Sequence, residues 1–230
     1  MKVVTKILKE KAGAGRLGRH VEHDPRSRAF SAGTAAVKTV RHARHGVAFD
    51  QGDLGSCTGN AMAGVLMTDP YWVRGRTLIE ADAVKLYKAA TKLDNIRGAY
   101  PPNDTGSSGL AVMKAALRAG YIAGYAHTFS LDQLLGSLVL NPGILGINWY
   151  DSFDSPATDG ECRLTTSAKV RGGHEVELFG IDAEKKRVWC YNSWGPTWGG
   201  RKNGTFYLSW KTLERLLGEK GDATFPRTTS

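Results

Sequence analysis

Residues 51–61 read QGDLGSCTGNA, and they contain the first of only three cysteines in this chain of 230 residues. Glycines precede Cys57, and the small residues after it are compatible with a helix that ends at Pro70. A thiol at the exit of a glycine loop is either a buried core residue or a nucleophile at a helix N-terminus, where the helix dipole stabilises a thiolate. The rest of the sequence decides between these two interpretations.

The composition is that of a globular protein, with 41% hydrophobic and 23% charged residues. The sequence has no run of about 18 apolar residues, so we predict no membrane span. Lysines interrupt the N-terminal sequence MKVVTKILKEK, and a signal peptide is therefore not expected. We expect a cytoplasmic protein or, if the chain comes from a phage, one that is virion-associated or released.

The three cysteines, Cys57, Cys162 and Cys190, are too few for a disulfide scaffold. Cys162 and Cys190 could pair, although two reduced thiols are the simpler expectation. The sequence contains neither CxxC nor a Cys/His zinc spacing, so we expect no metal and no cofactor. Two HxxH pairs lack a third ligand and are interpreted as part of a basic arm: His20 with His23, and His42 with His45.

The positive charge is concentrated at the N-terminus. Residues 1–46 contain eleven Lys and Arg residues against three acidic residues, a net charge of +8 out of +9 for the chain. This arm is rich in Gly, Ala and His, and its apolar residues follow no sustained period, so we predict a partly extended or disordered segment. Three roles remain open for residues 1–30: an autoinhibitory or autoprocessed segment, an arm that binds nucleic acid or another polyanion, or a solvated tail.

Hydrophobic spacing divides the rest of the chain into two halves. The first half predicts helices after Cys57 and within 77–94, 103–121 and 130–138, the last with Ser130 and Gln133 as a capping box. The second half predicts strands in ILGINWYDSF, HEVELFGID, RVWCYNSW and GTFYLSW, followed by a short helix between Ser209 and Gly218. We therefore predict an α+β protein with an arm (1–46), a helical lobe (47–141) and a β lobe (142–230), and a cleft between the lobes.

Three motifs in this framework carry chemically useful side chains. Gln51 stands six residues before Cys57, Gly172-Gly173-His174 begins a predicted strand, and Asn192 lies in YNSWGPTWGG. In this order and at this spacing, the motifs resemble the papain family of cysteine peptidases over roughly residues 45–210. The resemblance implies a papain-like two-lobe fold with the active site in the cleft.

The resemblance also implies a role for each residue type. Cys57 is expected to act as a thiolate nucleophile, with His174 as its acid–base partner and Asn192 orienting the histidine ring. Gln51 is placed to donate its side-chain amide to the oxyanion of a tetrahedral intermediate, together with the Cys57 backbone N–H. Three further residues are expected at the substrate: Gly55, Gly173 and Trp194.

Some residues depart from the plant and lysosomal members of this family. Thr58 replaces a tryptophan and Leu54 replaces a disulfide-forming cysteine, which favours a short bacterial or phage-type member in a reducing compartment. Glu175 follows His174 where a small apolar residue is commoner, and its carboxylate would favour imidazolium and basic substrates. Glu177 shares the face of Glu175, and the plainer interpretation of the pair is a solvated strand face.

The sequence thus predicts a cysteine endopeptidase that hydrolyses peptide or protein substrates through a thioester. In the family, a hydrophobic or aromatic side chain one residue before the residue that carries the scissile carbonyl often sets specificity. Two alternatives remain: a peptidoglycan-peptide hydrolase, of the CHAP or a related type, with a role in lysis, and a non-catalytic structural or virion protein that binds a polyanion.

Overall fold

The computed structural model describes residues 4–6, 15–29 and 35–228. Its helices are α1 (Cys57–Leu66), α2 (Glu80–Ala90), α3 (Gly109–Arg118), α4 (Leu131–Leu140) and α5 (Trp210–Gly218). Its strands are β1 (Val4–Lys6), β2 (Val21–His23), β3 (Val40–Arg41), β4 (Gly124–Thr128), β5 (Gly143–Tyr150), β6 (Val170–Asp182), β7 (Arg187–Tyr191), β8 (Thr205–Ser209) and β9 (Asp222–Arg227). Short 3₁₀ helices span Pro25–Ala29 and Asp151–Phe153.

Helices α1, α2 and α3 pack on one another around the first apolar core. Helix α1 is buried along its whole length because small residues dominate it. Helix α2 buries Ala83, Leu86 and Ala90, which recur at the three- and four-residue spacing of one helix face. Helix α3 begins where the Ser108 side chain accepts a hydrogen bond from the Ala111 backbone N–H.

The second core lies on an antiparallel sheet with the strand order β4-β9-β5-β6-β7-β8, and β3 pairs with the far end of β6. Helices α4 and α5 cover this core with leucines such as Leu134, Leu138, Leu213 and Leu216. Strand β6 is the longest, at 13 residues, and α1 packs against it. The two lobes therefore meet where α1 of the helical lobe packs on β6 of the sheet lobe.

These elements confirm the α+β class, and every helix that the sequence predicted between residues 57 and 218 is present. Strands β4 and β9 were not predicted. Their sequences, GYAHT and DATFPR, contain few β-branched residues, and they form strands because they pair with each other and β9 also pairs with β5.

The described residues of the N-terminal arm pair with one another and pack on the rest of the chain. Strand β2 pairs with β1, and residues 15–24 run over the body of the protein. The remaining parts of the predicted arm, residues 1–3, 7–14 and 30–34, lie outside the described residues. The sequence analysis assigned helix α4 to the helical lobe (47–141). In the structure, the leucines of α4 belong to the core that lies on the sheet.

All three cysteines are buried and none forms a disulfide bond, so Cys162 and Cys190 do not pair. Burial raises the pKa of both of these thiols well above the ordinary value. None of the helices in the described ranges has the length and apolar character needed to cross a membrane.

Candidate active site

Cys57 is the first residue of α1, directly after the glycine loop, as the sequence predicted. Its side chain is fully buried. His174 lies on β6, opposite Ile147 of β5, and it is fully buried as well. Helix α1, which begins with Cys57, packs against β6, the strand that carries His174.

The hydrogen bonds of Asn192 establish which ring nitrogen of His174 carries a proton. The Ser193 backbone N–H donates to Asn192 Oδ1 over 2.8 Å, and a backbone N–H can only donate. The atom 2.7 Å from His174 Nε2 is this same oxygen, so Nε2 must be the donor. In the neutral ring, Nδ1 is then the unprotonated nitrogen, and it makes no hydrogen bond within the described part of the chain. His174 is thereby poised to accept a proton at Nδ1.

Two tryptophan rings enclose the His174–Asn192 pair. The Trp149 ring meets the His174 ring edge-on at 4.8 Å between centroids, and the Trp194 ring lies 5.1 Å away at a smaller tilt. Burial lowers the pKa of His174 to about 4, a shift that the hydrogen bond with Asn192 opposes and the nearby Arg171 charge reinforces. In this structure His174 is therefore a neutral imidazole at neutral pH, whereas the sequence led us to expect imidazolium.

Gln51 lies between the two lobes. Its backbone N–H donates to the Ser193 carbonyl over 2.9 Å, and its side-chain oxygen accepts from the Ser193 hydroxyl. Its side-chain amide donates one hydrogen bond to the Leu54 carbonyl over 2.8 Å. An amide nitrogen has two N–H groups, so the second one can serve an oxyanion.

Residues 15–24, here called the cleft segment, lie across this site. The Gly18 and Arg19 backbone N–H groups donate to the Gly173 carbonyl over 3.1 and 3.0 Å, next to His174. On the other side, Gly18 touches Gly55 so closely that a Cβ at Gly18 would overlap the Gly55 carbonyl oxygen. The backbone of the segment thus passes between the neighbours of Cys57 and His174.

The cleft segment also pairs with Ser107 at the entrance of α3. The Ser107 N–H donates to the Gly18 carbonyl over 2.9 Å, and the His20 N–H donates to the Ser107 carbonyl over 2.7 Å. This is the pattern of a parallel β bridge between Arg19 and Ser107. Trp194 donates its ring N–H to the Arg16 carbonyl over 2.9 Å. All three residues predicted to contact substrate, Gly55, Gly173 and Trp194, contact this segment.

Side chains of the cleft segment are buried in both lobes. Leu17 joins the core of the sheet lobe and is 1% exposed. Glu22 accepts hydrogen bonds from Asn95 and from Ser108 over 2.8 and 2.7 Å. Arg19 is 1% exposed and pairs with the Asp222 carboxylate. Arg19 is therefore not available to a polyanion, because it already faces a buried carboxylate.

Glu175 and Glu177 are fully buried, so the expectation of a solvated strand face is wrong. Glu177 is matched by Arg44 and by the Thr68 hydroxyl, which donates over 2.6 Å. Neither carboxyl oxygen of Glu175 has a hydrogen-bond partner among the described residues. Burial raises the pKa of both carboxyls, and the neighbouring arginines oppose the shift.

The histidines of the two HxxH pairs have separate structural roles. His20 and His42 contact the backbone carbonyls of Thr105 and Leu138 over 2.7 and 2.8 Å. His45 stacks on the Trp72 ring at 3.7 Å between centroids. His23 forms a buried cluster with two residues that sequence analysis did not single out, His127 and Asp222. The donor atoms of this cluster are of types that bind metals, but the Asp222 charge is already matched by Arg19.

No protein-family model matches this chain, and none of the curated proteins matches it. Solved structures of papain-like cysteine proteases do match over nearly all of its length. Xylellain, a cysteine protease from Xylella fastidiosa, has a TM-score of 0.62 and 20% identity over 96% of this chain and 99% of its own. Digestive procathepsin L 3 of the Tenebrio molitor larval midgut has a TM-score of 0.64 and 17% identity, covering 95% of this chain and 75% of its own.

Recombinant stem bromelain precursor matches with a TM-score of 0.56 and 14% identity, covering 97% of this chain and 78% of its own. The chain therefore has the two-lobe fold of papain-like cysteine proteases, as the motifs implied. At these identities the likeness establishes the fold, and the chemistry has to be argued from the side chains of this chain.

Proposed function

We propose that this protein is a cysteine peptidase that hydrolyses peptide bonds through a thioester on Cys57, and that the cleft segment holds it in a latent state. The observation that carries the proposal is the hydrogen bond from His174 Nε2 to Asn192, which leaves Nδ1 as a proton acceptor on β6, the strand against which the Cys57 helix packs. A core cysteine would need no such arrangement around it.

The proposed reaction follows from these groups. His174 Nδ1 takes the proton of the Cys57 thiol, and the thiolate attacks the substrate carbonyl carbon. The Gln51 amide and the Cys57 backbone N–H stabilise the oxyanion of the tetrahedral intermediate. The imidazolium then gives its proton to the leaving amine, and the C–N bond breaks to leave a thioester. Water, deprotonated by His174, attacks the thioester and releases the carboxylic acid and the thiol.

Latency is proposed on two grounds. The backbone of the cleft segment occupies the space between Gly55 and Gly173, so a substrate cannot reach the thiol. The covered His174 is also desolvated, which holds its pKa near 4 and disfavours the imidazolium that accompanies a thiolate. Departure of the segment would let water reach the ring and raise this pKa toward its ordinary value.

The test is covalent labelling of the full chain with an epoxysuccinyl thiol-protease probe, with the adduct mapped by mass spectrometry. We expect an adduct on Cys57 alone, formed slowly because the cleft segment covers the thiol. Cys162 and Cys190 belong to the apolar core of the sheet lobe and serve as internal controls. The variant Cys57→Ser should abolish labelling, and His174→Gln should slow it strongly. Labelling of Cys57 at an unchanged rate in His174→Gln would refute the activated thiolate. Casein and cell-wall zymograms then distinguish a general peptidase from a peptidoglycan-peptide hydrolase.

A further inference from the structure

The Arg19 side chain occupies a pocket whose walls belong to three neighbouring strands. Gly146 of β5 lies opposite Glu175 of β6 and opposite Asp222 of β9. Residues directly opposite one another in antiparallel strands project from the same face of the sheet. Two carboxylates therefore flank a glycine on one face, and the missing side chain of Gly146 leaves a space between them.

The guanidinium group of Arg19 fills this space. A Cβ at Gly146 would lie 2.5 Å from Arg19 Nε, 3.1 Å from Cζ and 2.9 Å from Glu175 Oε2. Arg19 Nη2 donates to Asp222 and, over 3.0 Å, to the Lys220 carbonyl. His127 Nε2 contacts the second oxygen of Asp222 over 2.8 Å, and His23 Nε2 lies 3.4 Å from the first. The pocket is thus built around a planar cation.

The pocket contains more acceptors than Arg19 uses. Both Glu175 oxygens are buried without hydrogen-bond partners, and so are Arg19 Nε and Nη1. Buried carboxylates without a cation carry a large desolvation cost, so the pocket needs a positively charged occupant whenever it is closed. A cationic side chain carried by another peptide, with a different backbone path from that of Arg19, could form hydrogen bonds with Glu175 as well as with Asp222.

The pocket lies where a bound substrate would place one of its side chains. Arg19 pairs with the Ser107 backbone, and the preceding residue, Gly18, passes between the neighbours of Cys57 and His174. The cleft segment runs parallel to Ser107. A substrate strand that runs in the opposite direction and pairs with Ser107 would place its side chain in the same pocket, one residue before the residue at the nucleophile. This is the position at which the sequence analysis expected a hydrophobic or aromatic specificity residue.

The following inference rests on the peptidase function proposed above. We propose that the pocket of Glu175, Gly146 and Asp222 selects an arginine in the substrate, one residue before the residue that carries the scissile carbonyl. Arg19 is the intramolecular occupant of that pocket. The forked guanidinium engages acceptors on more than one side, so arginine should be preferred over lysine, whose ammonium is a point charge.

The first experiment measures binding and needs no catalysis. In the full-length variant Arg19→Ala, N-ethylguanidinium should raise the midpoint of thermal unfolding, whereas the neutral N-ethylurea should not. Adding Asp222→Asn, or Gly146→Ala, which fills the space without changing charge, should remove the response. Adding Asp132→Asn, an exposed carboxylate on α4, is the matched control and should retain it. An equal response to both probes, or none in folded Arg19→Ala, would overturn the proposal.

The second experiment compares fluorogenic peptides that differ only at this position, with arginine, lysine, citrulline or leucine. We expect kcat/KM for arginine to exceed that for its neutral isostere citrulline by about 100-fold or more, since citrulline leaves buried carboxylates unmatched. The ratio should be measured on Arg19→Ala and on Gly18→Ala, whose new Cβ would displace the cleft segment from Gly55, and the Gly18→Ala ratio decides if Arg19→Ala does not fold. Hydrolysis with leucine or citrulline equal to arginine would refute the pocket and leave the peptidase intact. Guanidinium binding without hydrolysis by either variant, and without probe labelling of Cys57 in them, would uphold the pocket and refute the peptidase.

Discussion

A single backbone N–H group determines the chemistry of His174. Because Ser193 donates to Asn192 Oδ1, that oxygen can only accept from His174, and the basic nitrogen of the ring is left on the other side. The position of Asn192 directly before Ser193 is therefore part of the proposed mechanism and not only of the fold. A substitution at Asn192 would release the ring to its other tautomer.

His174 should also make stability depend on pH. Its pKa in the folded protein, about 4, lies below the ordinary value of 6.5, so the unfolded chain binds more protons between these values. The contribution of His174 is complete above about pH 6.5 and is lost as the pH falls through 4. We expect the loss to be on the order of 3 kcal/mol. Denaturant unfolding of wild type and His174→Gln at pH 7 and pH 4 isolates this contribution, and an unchanged difference between them would contradict it.

Gln51 provides a second test at the scale of one side chain. If its amide stabilises an oxyanion, Gln51→Glu should lower kcat about 100-fold with little change in KM, because the lost interaction exists only in the transition state. The carboxylate keeps the acceptor for the Ser193 hydroxyl but loses the hydrogen bond to the Leu54 carbonyl, so the stability of the variant is measured beside its kinetics. Steady-state kinetics on one fluorogenic peptide measures the two parameters. A rise in KM at constant kcat would assign Gln51 to substrate binding instead.

Among the elements, the cleft segment is held by close backbone contact as much as by side chains. Gly18→Ala should push the segment from Gly55, because the new Cβ has no room, and should accelerate labelling of Cys57 by the epoxysuccinyl probe. Gly124→Ala is the matched control, since a Cβ on that residue of β4 meets no atom within 4 Å. Equal labelling rates in the two variants would show that the segment does not control access.

The contact between α1 and β6 contains a buried ion pair. Arg44, before α1, reaches Glu177 of β6, and both side chains are at most 4% exposed. Arg44→Ala leaves a buried carboxylate unmatched and should reduce the free energy of unfolding by about 3 to 5 kcal/mol. The double variant Arg44→Ala/Glu177→Gln should recover part of the loss. Arg215→Ala, which removes the exposed ion pair between Arg215 and Glu219, should change the unfolding free energy far less by the same chemical denaturation.

For the whole molecule, sequence predicted most of the architecture because most elements carry a local signal. The helices have amphipathic spacing and serine caps, as at Ser108 and Ser209, and these signals lie within a few residues of each other. Strand β9 carries no such signal, since its pairing with β4 joins segments about a hundred residues apart. The role of β9 in the pocket was therefore not predictable.

The same distinction applies to the candidate site. Gln51, Cys57, His174 and Asn192 were identified from motifs, and their catalytic roles remain predictions. The burial of Glu175 and Glu177 was missed because their cationic neighbours come from the N-terminal arm, more than 130 residues earlier in the chain. Strand alternation reports only that two residues share a face, and it does not report what covers that face.

The cleft segment and the cleft belong to one chain, so dilution does not separate them. For two groups joined by a short flexible linker, the effective concentration is on the order of millimolar. Under the proposed function, a peptide substrate would compete with Arg19 on these terms at every protein concentration. One cut of the chain between residues 24 and 57 would make binding of the cleft segment bimolecular. The released segment would then be diluted, and its rebinding would depend on its concentration. The activity that follows the cut would then depend on the volume in which the released segment is diluted, and not on the concentration of substrate.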